Sequence, residues 1–131
     1  MTGLDTNVLV RYLVQDDKVQ SARATRLIER ELDEAHPGFL GLVTLVETWW
    51  VLRRCYRATP GELRETVRDL LDSAQIVIER RALVAKALRR LEGTDGDLAD
   101  ALVVETALDA GCVRVVTFDK AAARCGMSVL R

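Results

Sequence analysis

The chain alternates between short apolar runs and longer stretches in which apolar residues recur at helical spacing. Thr2 to Leu4 has room only for a short strand, and Thr6 to about Val14 predicts a helix. Asp16-Asp17 supplies a cap for a second helix from about Lys18 to Ala35, with Ala24, Leu27, Ile28, Leu32 and Ala35 on one face. His36-Pro37-Gly38 breaks it. Phe39 to Val43 reads as a strand, followed by a helix from Thr44 to Tyr56 that carries Leu45, Val46, Trp49, Trp50, Leu52 and Tyr56. Thr59-Pro60-Gly61 opens another helix to about Ser73, because Thr caps well and Pro fits the first turn; Leu63, Val67, Leu70 and Leu71 face inward. Gln75 to Ile78 is a β-branched strand, Arg80 to Leu91 a helix, and the Gly93 to Gly96 stretch a loop. Asp97 to Ala110 forms a helix stopped by Gly111, which suits the left-handed position after a helix. Val113 to Thr117, a short helix from Ala121 to Arg124, and Ser128 to Leu130 complete the chain.

The resulting order is β-α-α-β-α-α-β-α-α-β-α-β. Strands separated by helices cannot be joined as hairpins, so they pair in parallel and need cover on both faces. The expectation is an α/β fold, a three-layer α/β/α sandwich on a mainly parallel sheet of about five strands. With 131 residues, no linker and no repeat, residues 1–131 are expected to form a single domain.

Composition narrows the class. The chain is 49% hydrophobic and 30% charged, which fits a globular protein and not a disordered segment. Its apolar runs fall short of the ~20 residues that span a bilayer, and no basic segment precedes an apolar one at the start, so a cytoplasmic protein is expected. Cys55, Cys112 and Cys125 are odd in number and widely spaced, which reads as packed thiols and not as a disulfide frame or a zinc site. The single histidine, His36, lies in a loop without a catalytic partner at useful spacing, so Ser-His-Asp and Cys-His chemistry is set aside. Net charge is −1, unlike a conventional nucleic-acid binder, yet neutralising four carboxylates with metal would leave the remainder positive. Most of the cations are arginine, which suits bidentate contact with phosphate.

Candidate chemistry rests on four acids. Asp5 ends the first strand, Glu47 and Asp100 fall in the first turns of helices that follow loops or strands, and Asp119 closes Val115-Val116-Thr117-Phe118. In an open parallel sheet, ligands bind outside the carboxyl ends of the strands, where these acids belong. Each also has a structural reading. Thr44-Leu45-Val46-Glu47 matches a capping box, Asp97-Leu98-Ala99-Asp100 has similar spacing, and Asp5 and Asp119 suit N-caps. Capping explains acids at helix starts but places no demand on their clustering. Clustered carboxylates repel unless a cation sits among them, and an all-oxygen set suits Mg²⁺ or Mn²⁺. Such ions activate water and steady a leaving oxygen in phosphodiester cleavage.

Four segments together resemble the PIN-domain nucleases, and within them the VapC-type toxins of toxin–antitoxin pairs. They are Leu4-Asp5-Thr6-Asn7-Val8-Leu9-Val10-Arg11-Tyr12-Leu13, Val46-Glu47-Thr48-Trp49-Trp50-Val51-Leu52, Gly96-Asp97-Leu98-Ala99-Asp100-Ala101-Leu102, and Val116-Thr117-Phe118-Asp119-Lys120. The resemblance implies an Mg²⁺- or Mn²⁺-dependent endoribonuclease, a homodimer, held inactive by a cognate antitoxin protein. It further implies that Asp5, Glu47, Asp100 and Asp119 bind metal and position water, with Thr6, Asn7 and Thr117 in support. Asp97 matches a position that is often acidic in the family, as an outer ligand or a simple N-cap. Thr2 and Gly3 stand where apolar β-formers are common, and Leu98 where an aromatic residue is frequent.

Other features have plainer readings. Trp49 and Trp50 point about 100° apart on a helix, so at least one belongs to the core or a dimer surface. Arg53, Arg54, Arg57, Arg64 and Arg68, and the pairs Arg80-Arg81 and Arg89-Arg90, read as solvated faces near helix ends. Arg11 is the best single choice for a phosphate contact. Two other classes share the acidic pattern: a phosphoryl-transfer or receiver-type domain, and a non-catalytic interaction module whose acids are caps. Asn7 argues against the first in its haloacid-dehalogenase form, which needs a second Asp two residues after the first.

Overall fold

Gly38 to Leu40 form the middle strand of a three-stranded parallel sheet in the computed structural model, which describes residues Met1 to Arg131. The chain divides into two compact units, Met1–Thr59 with Asp69–Glu79, and Pro60–Arg68 with Arg80–Arg131. The expected element order is observed from end to end.

In the first unit, strand β1 (Thr2–Gly3) leads into helix α1 (Thr6–Val14), and helix α2 (Lys18–Arg26) follows. Strand β2 (Gly38–Leu40), helix α3 (Leu42–Cys55) and strand β3 (Ile76–Ile78) complete it. Thr2 and Gly3 do form a strand, in register with Gly38 and Phe39. On its other side β2 pairs with β3, Gly38 opposite Ile76 and Leu40 opposite Ile78. Helix α1 packs on α2 and α3. The core is apolar, with Leu9, Ile28, Leu40 and Leu45 fully enclosed. Gly38 is small for a reason: a Cβ there would come within 2.8 Å of Leu32 Cδ1 and 3.0 Å of Leu4 Cδ1.

Three expectations for this unit change. The second helix stops short of Ala35: it ends in a π-helical turn at Leu27–Glu31, and Leu32 is already extended, which leaves Ala35 exposed. Helix α3 starts at Leu42, with Gly41 as its N-cap, so Thr44 and Glu47 do not form a capping box. The first free amide of α3, from Leu42, is instead satisfied by Glu79 Oε1 at 2.8 Å. Thr44 lies inside the helix, where its carbonyl accepts from the hydroxyl of buried Thr48 at 2.8 Å. Finally, Cys55 is exposed, not packed, as is Cys112 in the second unit; only Cys125 is buried.

The second unit contains the start of helix α4 (Pro60–Asp72), helix α5 (Arg81–Leu91) and helix α6 (Leu98–Asp109). Strand β4 (Val116–Thr117), helix α7 (Lys120–Ala123) and strand β5 (Ser128–Val129) follow. Helices α5 and α6 pack through Leu83, Val84, Ala87, Leu88 and Leu91 on one side and Leu98, Ala101, Leu102 and Val104 on the other. Leu98 is fully buried, so the aliphatic side chain fills this position without difficulty. Gly111, at φ +99°, ends α6 as expected, and the Cys112 amide closes the turn on the Ala107 carbonyl at 2.9 Å. Strands β4 and β5 pair in parallel, Val116 opposite Ser128. All five strands are therefore parallel, three in the first unit and two in the second.

Candidate functional site

In the first unit, Asp5 follows β1 and caps α1. Its Oδ1 accepts the Thr6 amide at 2.8 Å, which fixes the carboxylate at the strand's carboxyl end. Thr6 is buried, and its hydroxyl has no hydrogen-bond partner; it is the amide of Thr6, not its side chain, that holds Asp5. Glu47 lies exposed on α3, one turn beyond the helix start.

A groove of about 300 Å³ runs between α1 and α2, lined by Asn7, Val8, Arg11, Gln20, Arg23, Ala24 and Leu27. Arg11 is already engaged there. Its guanidinium donates to Asp16 Oδ1 at 2.9 Å and to Gln20 Oε1 at 2.8 Å. The Tyr56 hydroxyl donates to the other oxygen of Asp16 at 2.7 Å. Tyr56 and then Arg11 hold the Asp16 carboxyl below its ordinary range, so Asp16 stays charged and paired. A phosphate reaching Arg11 therefore competes with Asp16.

In the second unit the acids crowd. Asp97 caps α6 through Ala99 N, and Asp119 caps α7 through Ala121 N, each at 2.8 Å. Thr117 Oγ1 accepts the Asp119 amide at 3.0 Å and so fixes where that cap sits. Asp100 is half-buried in the first turn of α6. Burial, followed by the charges of Asp97 and then Asp119, raises its carboxyl above the ordinary value. The charges of Asp97 and Asp119 on the half-buried Asp100 are a cost that a cation among them would remove. The donor set, oxygen alone, fits Mg²⁺ or Mn²⁺. No group of three or more His, Cys, Asp or Glu side chains is gathered closely enough to form a ready-made metal cage.

The aromatic and basic residues divide as follows. Trp49 is buried, its indole N–H without a partner, whereas Trp50 is exposed beneath the Arg54 guanidinium, 5.9 Å from the ring centroid. Arg64 donates to the Thr94 carbonyl at 2.7 Å, and Arg80 is paired with Asp109, so neither is merely solvated. Arg90 departs furthest from a solvated face: it is paired with buried Glu105 at 2.9 Å. No local pattern marks Arg90, because its partners are 15 and 35 residues away. His36 is exposed and sits 3.4 Å from Asp33, consistent with a surface role.

A family model, the PIN domain, matches residues 4–126. No curated protein matches the chain. None of its helices is long and apolar enough to cross a membrane.

Proposed function

The chain belongs to the PIN domain family, and from that premise we propose that it is an Mg²⁺- or Mn²⁺-dependent endoribonuclease, the VapC-type toxin of a type II toxin–antitoxin pair. PIN domains are generally nucleases that use divalent ions, so the family supports a nuclease-type activity in general. RNA as substrate, the cognate antitoxin, a homodimer, a cytoplasmic location and a single working domain over residues 1–131 are our reading.

In this reading Asp5, Glu47, Asp100 and Asp119 hold the metal, with Asp97 outside them. The bound cation supplies charge neutralisation and a more acidic water. The chain's own groups do the rest. The Thr6 amide keeps Asp5 Oδ1 in place and so orients the carboxylate that would help hold the metal. The Ala121 amide and Thr117 do the same for Asp119. Arg11, on the groove wall between α1 and α2, contacts the phosphates of the scissile strand, and Asn7 supports Asp5.

The observation that carries the reading is that Asp97 and Asp119 lie near enough to the half-buried Asp100 for their charges, after burial, to raise its carboxyl above the ordinary value. A structured RNA incubated with the 131-residue chain tests it. Cleavage in Mg²⁺ or Mn²⁺ that stops on adding EDTA, and that Asp119→Asn abolishes, is expected; full activity in EDTA would end the proposal.

One observation favours a second reading, an interaction module without catalysis: Asp5, Asp97 and Asp119 are all N-caps. Asn caps a helix about as well as Asp but carries no charge. If the acids serve only as caps, the Asn variants retain whatever the protein binds, and Mn²⁺ leaves its stability unchanged.

A further inference from the structure

Arg90 is the one arginine of α5 that turns inward to a buried acid. Its Nε–H and Nη2–H both reach Glu105 Oε1, at 3.0 and 2.9 Å, and Nη1–H donates to the Cys125 carbonyl at 3.2 Å. Glu105 lies on α6, five positions after Asp100. Cys125 lies just after α7, the helix that Asp119 caps. One guanidinium thus joins the two elements that carry Asp100 and Asp119.

The surroundings are shaped for that grip. Ala122 and Cys125 are buried, which seats α7. Gly126 has φ +107°, and a Cβ on it would lie 2.6 Å from Arg90 Nη1, so only glycine lets the guanidinium come this close. Cys125 Sγ in turn packs on the loop before Asp97: a Cβ on Gly96 would be 3.0 Å from it. Helix α7 is too short to hold its place by its own hydrogen bonds.

We propose that Arg90 is a positioning residue, which sets the spacing of Asp100 and Asp119 by clamping the end of α7 to Glu105 of α6. This rests on the metal-dependent reading above. Arg90 is not one of the acids proposed to hold metal, and its polar contacts are Glu105 and the Cys125 carbonyl. It acts through α7, as residues behind a metal ligand commonly do.

Removing Arg90 alone leaves the Glu105 charge buried and unpaired, which endangers the fold. The test therefore uses Arg90→Met/Glu105→Leu, an apolar replacement of the pair, with Arg90→Lys as a second variant. Lysine answers the Glu105 charge but cannot fork to the Cys125 carbonyl as well. In a variant that still unfolds cooperatively, amides of α7 from Ala121 to Gly126 should exchange about tenfold faster, while those of α5 and α6 keep their protection. Mn²⁺ affinity by calorimetry should fall about tenfold. The kcat on RNA should fall with it and KM should hold, the signature of a misplaced reacting group and not of lost substrate binding. Wild-type exchange in α7 together with wild-type Mn²⁺ affinity in a folded variant would overturn the clamp. A wild-type protein that neither binds Mn²⁺ nor depends on it would overturn the metal reading instead, and the exchange of α7 would still decide the clamp.

Discussion

Asp5, Asp97 and Asp119 each spend one carboxylate oxygen on a helix amide, and that use is separable from their charge. Asp5→Asn and Asp119→Asn keep an equally good cap, so thermal unfolding should move by only a few tenths of a kcal/mol. RNA cleavage by the same variants should drop at least about 100-fold, which a gel assay at fixed Mg²⁺ reads directly. Asp100 behaves differently because burial, then Asp97 and Asp119, raise its folded-state carboxyl above the unfolded one. The folded protein then holds the proton more tightly than the unfolded one, so this contribution is fully present below the unfolded value, about pH 4, and is lost as pH rises through the folded value. Without metal, Asp100→Asn should therefore raise the melting temperature at neutral pH and lose that advantage near pH 3; calorimetry in EDTA across that range checks it. That Asp5, Asp97 and Asp119 stand at helix starts was legible in the sequence. How each is held was less so. Asp97 and Asp119 sit where local capping rules put them, but the rule failed at Thr44 because the amide it was assigned to serve is not at a helix start. The true partner of that start, Glu79, is 37 residues from Leu42, and no window of sequence connects them.

At the level of elements, the helical periods were legible because each amphipathic stretch has one face to bury. Leu63, Val67, Leu70 and Leu71 of α4 are all inside, as their spacing requires. Endings were harder to read. The last turn of α2 widens to a π-helix at Leu27–Glu31, a shift in hydrogen bonding that has no compositional signature. Strands shrank to two or three residues for a related reason: β-branched runs such as Val113 to Thr117 extend further than the partner strand available to pair with them. In the three-stranded sheet the tightest constraint falls on Gly38, where Leu4 and Leu32 close over the middle strand. Gly38→Ala forces those leucines aside and should cost about 1–3 kcal/mol, measured as a lower urea midpoint with an unchanged slope.

For the molecule as a whole, the metal reading makes folding and ligand binding one measurement. A cation that binds only the folded chain adds about 2.7 kcal/mol at a hundred times its Kd, so Mn²⁺ should raise the melting temperature by several degrees. Asp100→Asn and Asp119→Asn should abolish that rise, and Mn²⁺ acting equally on all three proteins would count against the carboxylates as ligands. The stretch from Val113 to Phe118 bears on a different property. Val113, Arg114, Val115, Val116, Thr117 and Phe118 form a β-prone hexamer with a single charge, and Val113 and Phe118 are 95% and 82% exposed. Val116 and Thr117 pair with β5 and the Val115 carbonyl accepts the Ser128 amide, as half of a two-stranded ribbon. Such a segment can template its own addition to another molecule, and concentrated solutions should cloud from this end of the chain first. Val113→Lys places a charge at its head and touches no packed neighbour, so it should delay the rise in light scattering on storage and leave the melting temperature where it was.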